Sequence, residues 1–284
     1  MRWLRCVDFR FRQSMVSPPR RDGRAAGEGG SMRSTVPLIA LALCVLPSLV
    51  SAEGSAIVRG DELYARGLLT DARSVYQSAL NQEPNSFGTL CRLARVESEL
   101  GEDAKGEEQR QLMAAAVEHA RAAVKAAPDS GEGHVWLAAT LGRQALREGP
   151  KTKLALAREV KSEVDRGIAL DPTIARAYHV RGVWNRDIAK LGVFERTMAG
   201  AVGGLPKGAT AENAVRDLQK AVELEPNYVN HRLELGRTYM TFHDNTNARR
   251  ELERAVSLPP TSSARDARYQ AEAKELLAKL PKSH

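Results

Sequence analysis

The sequence is poor in aromatic residues and in cysteine. Phe, Trp and Tyr make up 5% of the 284 residues, whereas Ala, Leu, Arg and Glu abound and β-branched residues are thinly spread. This composition favours helix over strand. Of the three cysteines, only Cys91 lies beyond the first 52 residues, so the sequence after residue 52 can form no internal disulfide. We expect an all-α protein in which Cys91 is a buried small thiol.

The common motifs of catalysis and of cofactor binding are also missing. The sequence has no Gly-rich phosphate loop, no Gly-x-Ser-x-Gly and no His-Glu-x-x-His, which are typical of nucleotide-binding proteins, hydrolases and metalloproteases. Its six histidines are scattered and lack a metal-binding spacing. The Gly203–Gly204 pair lacks a preceding strand and the Lys-Ser/Thr ending of a nucleotide loop, so we interpret it as a loop. The sequence therefore predicts a protein that is not an enzyme, with no cofactor and no metal.

The basic excess of the sequence is concentrated at its start. The formal net charge is +7, but residues 1–52 carry eight arginines against three acidic residues, which leaves 34 basic and 32 acidic side chains in the remainder. A nucleic-acid-binding domain is expected to carry its positive charge on the folded part. We therefore expect no nucleic-acid partner.

Residues 32–52 have the pattern of a secretory signal peptide. One arginine precedes an apolar stretch from Val36 to Val50, and small residues precede the expected cleavage after Ala52. The alternative is a membrane anchor formed by residues 36–52, although this stretch is short for a spanning helix. Residues 1–31 read as a non-native or disordered extension from a misplaced start codon, or as an Arg-rich transit segment. The prediction is export to the periplasm or the extracellular space.

The rest of the sequence, residues 53–284, repeats itself. Five amphipathic helical segments each stop at a proline, which cannot continue a helical hydrogen-bond ladder. These prolines are Pro84, Pro128, Pro172, Pro226 and Pro260. Self-similarity at such spacings is typical of stacked helix pairs.

The last interval resembles a tetratricopeptide repeat. Its small residues allow two antiparallel helices to approach closely, and its larger residues fill the space beside them. The matching residues are Leu235, Gly236, Tyr239, Ala248, Leu252, Ala255 and Pro260. The sequence therefore predicts an α-solenoid of about five such helix pairs, wound as a right-handed superhelix, with a capping helix within residues 262–280.

Residues 191–210 interrupt the fourth pair. Val193, Phe194, Thr197 and Met198 recur with Ala201 and Val202 at helical spacing, which predicts a short amphipathic helix ending at Gly203–Gly204. We expect this helix to pack its apolar side on the solenoid and to narrow the groove. A lid or a membrane contact is the alternative. Thr210 is the expected N-cap of the helix that follows.

Several motifs of residues 58–280 together resemble the regulator of microtubule dynamics family. A His-x-Trp motif of that family is matched by His134 and Trp136, and a His-x-x-Gly-x-Trp motif by His179, Gly182 and Trp184. A similar insertion follows the second motif. The sequence departs from the family where Cys91-Arg92-Leu93-Ala94-Arg95 stands in place of a Trp-Arg-Leu-Ala-Arg stretch.

The resemblance implies a non-enzymatic role. Animal members of the family are associated with microtubules, and the repeat domain of a mitochondrially anchored member binds phospholipid and tethers organelles. A secretory signal in place of a mitochondrial anchor puts those partners in doubt for this protein. A phospholipid carrier or membrane tether is therefore the alternative to a protein-binding scaffold.

The first helix of each tetratricopeptide pair usually lines the concave groove, and arginines outnumber carboxylates at those positions here. Guanidinium groups suit carboxylates and phosphates, so we expect a protein or acidic peptide partner, or an anionic phospholipid. The alternative is that these arginines pair with neighbouring carboxylates. For the two tryptophans and their neighbouring histidines, the alternative is burial in the core. The candidate groove residues are Tyr64, Arg95, His134, Trp136, Arg143, His179, Trp184, Arg186, Arg237 and Met240.

Overall fold

A computed structural model describes residues 52–201, 204–259 and 265–281. The predicted extension, the signal peptide up to residue 51, residues 202–203 and Pro260 lie outside these ranges. The described residues form twelve α-helices and no strand. In chain order these are α1 (Ala52–Ala65), α2 (Leu69–Gln82), α3 (Phe87–Asp103), α4 (Gly106–Ala126), α5 (Gly131–Ala145), α6 (Pro150–Leu170), α7 (Ala175–Ala189), α8 (Val193–Ala201), α9 (Ala211–Leu224), α10 (Val229–Thr241), α11 (Asn245–Ser257) and α12 (Asp266–Lys279).

Local sequence signals set several helix boundaries. The helices α2, α4, α6 and α9 each end two residues before a proline of the repeat, because the residue before proline is disfavoured in helical conformation. The side chain of Thr210 accepts a hydrogen bond from the Asn213 backbone N–H at 3.1 Å, which confirms it as the N-cap of α9. Ser86 and Asp244 cap α3 and α11 in the same way.

The helices stack as five antiparallel pairs followed by α12. The pairs are α1 with α2, α3 with α4, α5 with α6, α7 with α9, and α10 with α11. Successive first helices also pack on one another, α3 on α5, α5 on α7 and α7 on α10. We call α1, α3, α5, α7 and α10 the inner helices, and their partners the outer helices. This arrangement confirms the predicted all-α solenoid.

Close approach within the pairs depends on small residues. A Cβ added at Gly182 of α7 would lie 2.7 Å from Leu218 Cγ of α9, and one at Gly236 of α10 would lie 2.7 Å from Leu252 Cγ of α11. Both distances are far below van der Waals contact. The Gly236 contact therefore explains why the repeat has a residue without a side chain at this position.

The apolar core runs through the stack as two clusters of buried residues. One extends from Tyr64 to Ile188 and includes Trp136 and Trp184, and the other extends from Val183 to Leu280. Cys91 is buried in the first cluster, as expected. Because Val183 and Trp184 are neighbours in α7, the two clusters meet at the fourth pair.

The insertion of the fourth pair contains α8, which lies between α7 and α9. The expectation that its apolar side packs on the solenoid is wrong for Val193 and Phe194, which are 83% and 77% exposed. The helix contacts α6, an outer helix, so the expectation that it narrows an inner groove is not supported either. Leu205 and Ala209 of the loop after α8 pack on the core instead. The loop thus provides the apolar anchor that we expected from the helix.

Within the described ranges, every helix is too short or too polar to cross a membrane.

Candidate binding surface on the inner helices

The candidate groove residues all lie on inner helices, as the repeat register predicts, but most are covered. Two of the ten, Arg237 and Met240 at the C-terminal end of the stack, remain partly exposed. The eight others are buried: Tyr64, Arg95, His134, Trp136, Arg143, His179, Trp184 and Arg186. Their contacts show what each side chain does in the folded protein.

At the N-terminal end, aromatic and charged groups are interlocked. The Tyr64 hydroxyl donates to Glu99 Oε1 at 2.7 Å, and the Arg95 guanidinium lies 3.6 Å from the centre of the Tyr64 ring. Asp61 accepts two hydrogen bonds from Arg92 at 2.8 Å. Burial raises the pKa of Asp61, but the hydrogen bonds from Arg92 and Tyr76 and the charges of Arg92 and Arg95 together outweigh it, so the net pKa lies below its usual value. These contacts join α1 to α3 through charges rather than through apolar side chains.

In the middle of the stack, Arg143 of α5 is held by α3. Its Nε lies 2.8 Å from Glu102 Oε1, and its Nη1 donates to the Ser98 hydroxyl. Arg265, the residue before α12, approaches the same end of α3: its Nη1 lies 3.1 Å from Glu102 Oε2, and its Nη2 lies 3.0 Å from Asp103 Oδ2. Glu102 is therefore shared by arginines from the third pair and from the C-terminal cap.

Towards the C-terminal end, Arg186 of α7 donates to Glu234 Oε2 of α10 at 2.5 Å and to Asp187 Oδ1 at 3.1 Å. Burial disfavours the charged guanidinium, but Asp187 and Glu234 outweigh it and raise the pKa of Arg186 above its usual value. Glu234 also lies 3.1 Å from Arg237, which donates to Glu272 of α12 at 2.9 Å. A continuous set of ion pairs thus links α7, α10 and α12.

Two buried histidines face each other between α7 and α10. The Nδ1 atoms of His179 and His231 are 2.9 Å apart, and Nε2 of His231 lies 3.3 Å from Glu225 Oε2. Burial lowers the pKa of His231, against the opposing effect of Glu225. At most one proton can lie between the two facing nitrogens, so one Nδ1 donates and the other accepts.

The two tryptophans serve packing in the folded protein. The Trp184 indole N–H donates to the Ala157 carbonyl of α6 at 2.8 Å, in a site with no solvent exposure. Trp136 is equally buried, and the Arg176 guanidinium lies 4.3 Å from its ring centre. Burial lowers the pKa of Arg176 to about 10 while the nearby Glu132 opposes the shift, so the guanidinium remains charged at neutral pH.

His134, of the first family-like motif, connects neighbouring pairs. Its Nδ1 lies 2.6 Å from Glu163 Oε2 of α6, and its Nε2 lies 2.9 Å from the Pro128 carbonyl in the loop after α4. The ring therefore joins the third pair to the end of the second.

The inner face is thus charged, but its charges are balanced internally. The carboxylates that balance the predicted arginines are Asp61, Glu102, Asp187, Glu234 and Glu272. The repeat spacing in the sequence predicted the groove arginines. It did not predict the roles of Glu102, Glu234, Arg265 or Glu272, because the ion pairs of these residues join helices that are far apart in the sequence. Binding of a ligand by the ten candidate residues stays a prediction. Among the described residues, no three His, Cys, Asp or Glu side chains are grouped to hold a metal ion.

Comparison with solved structures supports the fold. The protein superposes on a thermophilic TPR protein of Thermus thermophilus with a TM-score of 0.60 and 19% identity, covering 80% of this chain and 100% of that one. At this level of identity the likeness concerns the fold alone.

Comparison of sequences identifies the family. The chain is 29% identical over 228 residues to regulator of microtubule dynamics protein 1 of Mus musculus, covering 79% of this chain and 73% of that protein. It is 29% identical to regulator of microtubule dynamics protein 3 of Mus musculus, of which it spans 47%. Residues 56–281 match the model of the family described as regulator of microtubule dynamics protein 1-3. The chain, with its five stacked helix pairs and the inserted α8, therefore belongs to the regulator of microtubule dynamics family.

Proposed function

We propose that this protein is a non-catalytic scaffold that binds a protein or peptide partner through the inner helices of its solenoid. The observation that carries the proposal is the series of ion pairs along those helices, which begins at Asp61 in α1 and ends where Arg237 of α10 meets Glu272 of the cap helix α12. Buried ion pairs contribute little net stability compared with apolar residues of similar size. Apolar side chains would be sufficient on a face used only for packing, whereas charged groups give a binding face its specificity.

The candidate residues that are most accessible to a partner lie at the C-terminal end of the inner face. The side chains of Arg237 and Glu272 are 26% and 23% exposed, and Met240 beside them is partly exposed. Arg237 is bound by Glu234 and Glu272. A carboxylate of the partner would compete with Glu272 for the Arg237 guanidinium, while Met240 offers an adaptable apolar contact. We therefore propose an acidic peptide or the C-terminal carboxylate of another protein as the bound group.

Site-specific photocrosslinking in the native compartment tests this proposal. A photoreactive residue at Met240 should capture a partner, and the same residue at Arg216, exposed on the outer helix α9, should not. The added substitution Arg237→Glu should abolish capture at Met240, because it repels an acidic group. Circular dichroism of this variant separates lost binding from lost folding. Equal capture at both positions, or capture unaffected by Arg237→Glu in a folded protein, would contradict the proposal.

A second experiment distinguishes a lipid carrier from a scaffold. Native mass spectrometry of the protein purified from cells detects any phospholipid that is bound to it. A clean protein mass agrees with the scaffold. Stoichiometric phospholipid that excludes the crosslinked partner would instead favour the carrier function implied by the family resemblance.

We also propose that the protein acts after export, in the periplasm or outside the cell. The support is the apolar stretch that ends before Ala52. Sequencing of the mature protein should find Glu53 at its N-terminus. Retention of residues 36–52 would favour the membrane-anchored alternative.

A further inference from the structure

The segment around α8 combines exposed apolar side chains with lysines that form no ion pair among the described residues. Val193 and Phe194, in the first turn of α8, are the most exposed large apolar residues among those described. The lysines are Lys151 and Lys153, near the start of α6, and Lys207, in the loop after α8. Such a combination is typical of surfaces that meet a membrane.

The topology brings these residues to one edge of the solenoid. The helices α6 and α7 are antiparallel neighbours, and the hydrogen bond from Trp184 to the Ala157 carbonyl fixes their register. The C-terminal end of α7 therefore lies beside the N-terminal end of α6, which carries Lys151 and Lys153. Because α8 begins four residues after α7 ends, Val193 and Phe194 lie at this same edge.

The loop that returns from α8 is held against α6 as well. Arg158 of α6 donates to the Gly204 carbonyl at 2.6 Å, and Leu205 packs on the core. These contacts place Lys207, three residues after Gly204, on the α6 side of the insertion. We call Lys151, Lys153, Val193, Phe194 and Lys207 the α8 edge.

The edge has more basic than acidic side chains, three lysines against two glutamates. The glutamates are Glu195, whose carboxylate accepts a hydrogen bond from the Gly192 backbone N–H at 2.8 Å, and Glu148, two residues before α6. The remaining basic groups serve the protein itself: Arg196 donates to the Leu191 and Ala189 carbonyls at the end of α7, and Lys190 pairs with Asp187. The three lysines therefore remain available to an external anion.

We infer that the α8 edge docks on an anionic membrane surface, with Val193 and Phe194 entering the headgroup region and the lysines facing lipid phosphates and carboxylates. Two exposed apolar side chains provide too little apolar area for a stable protein interface, which typically buries about 800 Å² on each partner. They suffice for shallow insertion when basic groups add attraction to anionic lipid. This edge lies where α6, α7 and α8 meet, and none of its five residues belongs to the candidate groove residues, so the inference does not depend on the proposed function.

Fluorescence of the full-length protein tests the inference at the site itself. The tryptophan introduced by Phe194→Trp should shift its emission to the blue on vesicles of phosphatidylcholine with about one third phosphatidylserine, and brominated lipid should quench it. The difference from the unsubstituted protein isolates this residue from the three native tryptophans, Trp3, Trp136 and Trp184. Because the N-terminal apolar stretch is common to both proteins, its own binding to vesicles cancels in the comparison.

Charge variants provide the matched control. The triple variant Lys151→Gln, Lys153→Gln, Lys207→Gln in the Phe194→Trp background should need at least about tenfold more lipid to reach half of the emission shift. Each lysine near an anionic surface increases the affinity for the membrane about fivefold. The control triple variant Lys125→Gln, Lys274→Gln, Lys279→Gln removes the same charge from exposed sites elsewhere and should bind like the parent.

Three results would overturn the inference. The first is an unchanged emission spectrum on anionic vesicles, even if the protein sediments with them through another segment. The second is an equal shift on vesicles of pure phosphatidylcholine, or equal weakening by both triple variants. The third is a shift that grows with protein concentration in the absence of lipid, which would identify a second copy of the protein as the occupant.

Discussion

Arg265 and Glu99 join two distant parts of the sequence. The Arg265 Nη2 atom donates to the Glu99 backbone carbonyl at 2.7 Å although 166 positions separate the residues. The same guanidinium contacts the carboxylates of Glu102 and Asp103. The C-terminal cap is thereby bound to the second helix pair, across the inner face of the solenoid. This closure accounts for part of the burial of that face.

Removal of this contact should loosen the whole stack. Arg265→Ala leaves the buried Glu99 and the partly exposed Glu102 without one of their basic neighbours, so we expect a loss of about 3 kcal/mol in the free energy of unfolding, near the lower end for a broken buried ion pair. Urea denaturation measures the loss, and small-angle scattering should show a larger radius of gyration. Arg254→Ala, at an exposed position of α11, should change stability by less than about 0.5 kcal/mol. Equal unfolding midpoints for the two variants would show that the closure does not stabilise the fold.

The substitution Gly236→Ala should destabilise the packing of the fifth helix pair. The Cβ of Gly236→Ala would lie 2.7 Å from Leu252 Cγ and 3.3 Å from the Ala248 carbonyl, so α10 and α11 must move apart. We expect a loss of about 1–3 kcal/mol by urea denaturation. Gly200→Ala in α8, where a Cβ meets no atom within 4 Å, should cause no loss. If both variants are as stable as the parent, the pair tolerates a wider spacing than the contacts indicate.

Stability should depend on pH through His231. Burial lowers its pKa in the folded protein, while the unfolded value is about 6.5. Below that pH the unfolded state binds more protons, so the stability contributed by neutral His231 is present above pH 6.5 and is lost as the pH falls through the folded pKa. We expect the free energy of unfolding to decrease between pH 7 and pH 5, by up to about 1.4 kcal/mol per pH unit from this residue.

The variant His231→Gln should remove this part of the slope and retain a side chain that can hydrogen bond to His179. The control is His243→Asn, because His243 is exposed and its φ of 66° is a conformation that asparagine tolerates. Its pH profile should match that of the parent. A parental slope in the His231→Gln variant would assign the pH dependence to other groups.

The thiol of Cys91 should be inert in the folded protein. Burial raises its pKa well above the usual range, with Glu132 adding to the shift, and only the thiolate reacts with alkylating agents. We expect iodoacetamide to modify Cys91 at least about a hundredfold more slowly in buffer than in denaturant. Mass spectrometry of the peptide that contains Cys91 separates it from the two N-terminal cysteines. Similar rates in both solvents would mean that α3 opens readily.

The sequence was sufficient for the fold because its signals are local. The prolines that follow α2, α4, α6 and α9 mark helix ends, and Thr210 marks a helix start. Small residues such as Gly182 and Gly236 fall at the repeat positions where paired helices cross. Each signal acts within one turn or one helix pair, so repeat spacing can reveal it without knowledge of the tertiary structure.

The candidate site and the insertion depended on longer-range contacts. Spacing placed Arg143 and Arg186 on inner helices, but only the tertiary structure paired them with Glu102 and Glu234, from the neighbouring helix pairs. The periodicity of residues 193–202 predicted an amphipathic helix, yet it could not decide which side of the helix would find a partner. In the structure, Leu205 packs on the core and Phe194 is exposed to solvent. The sequence by itself determined the helices and their pairing, because hydrogen bonds, caps and small-residue positions are local. Tertiary structure alone decided which charges are neutralised and which apolar residues face solvent, because both depend on neighbours that are distant in the sequence.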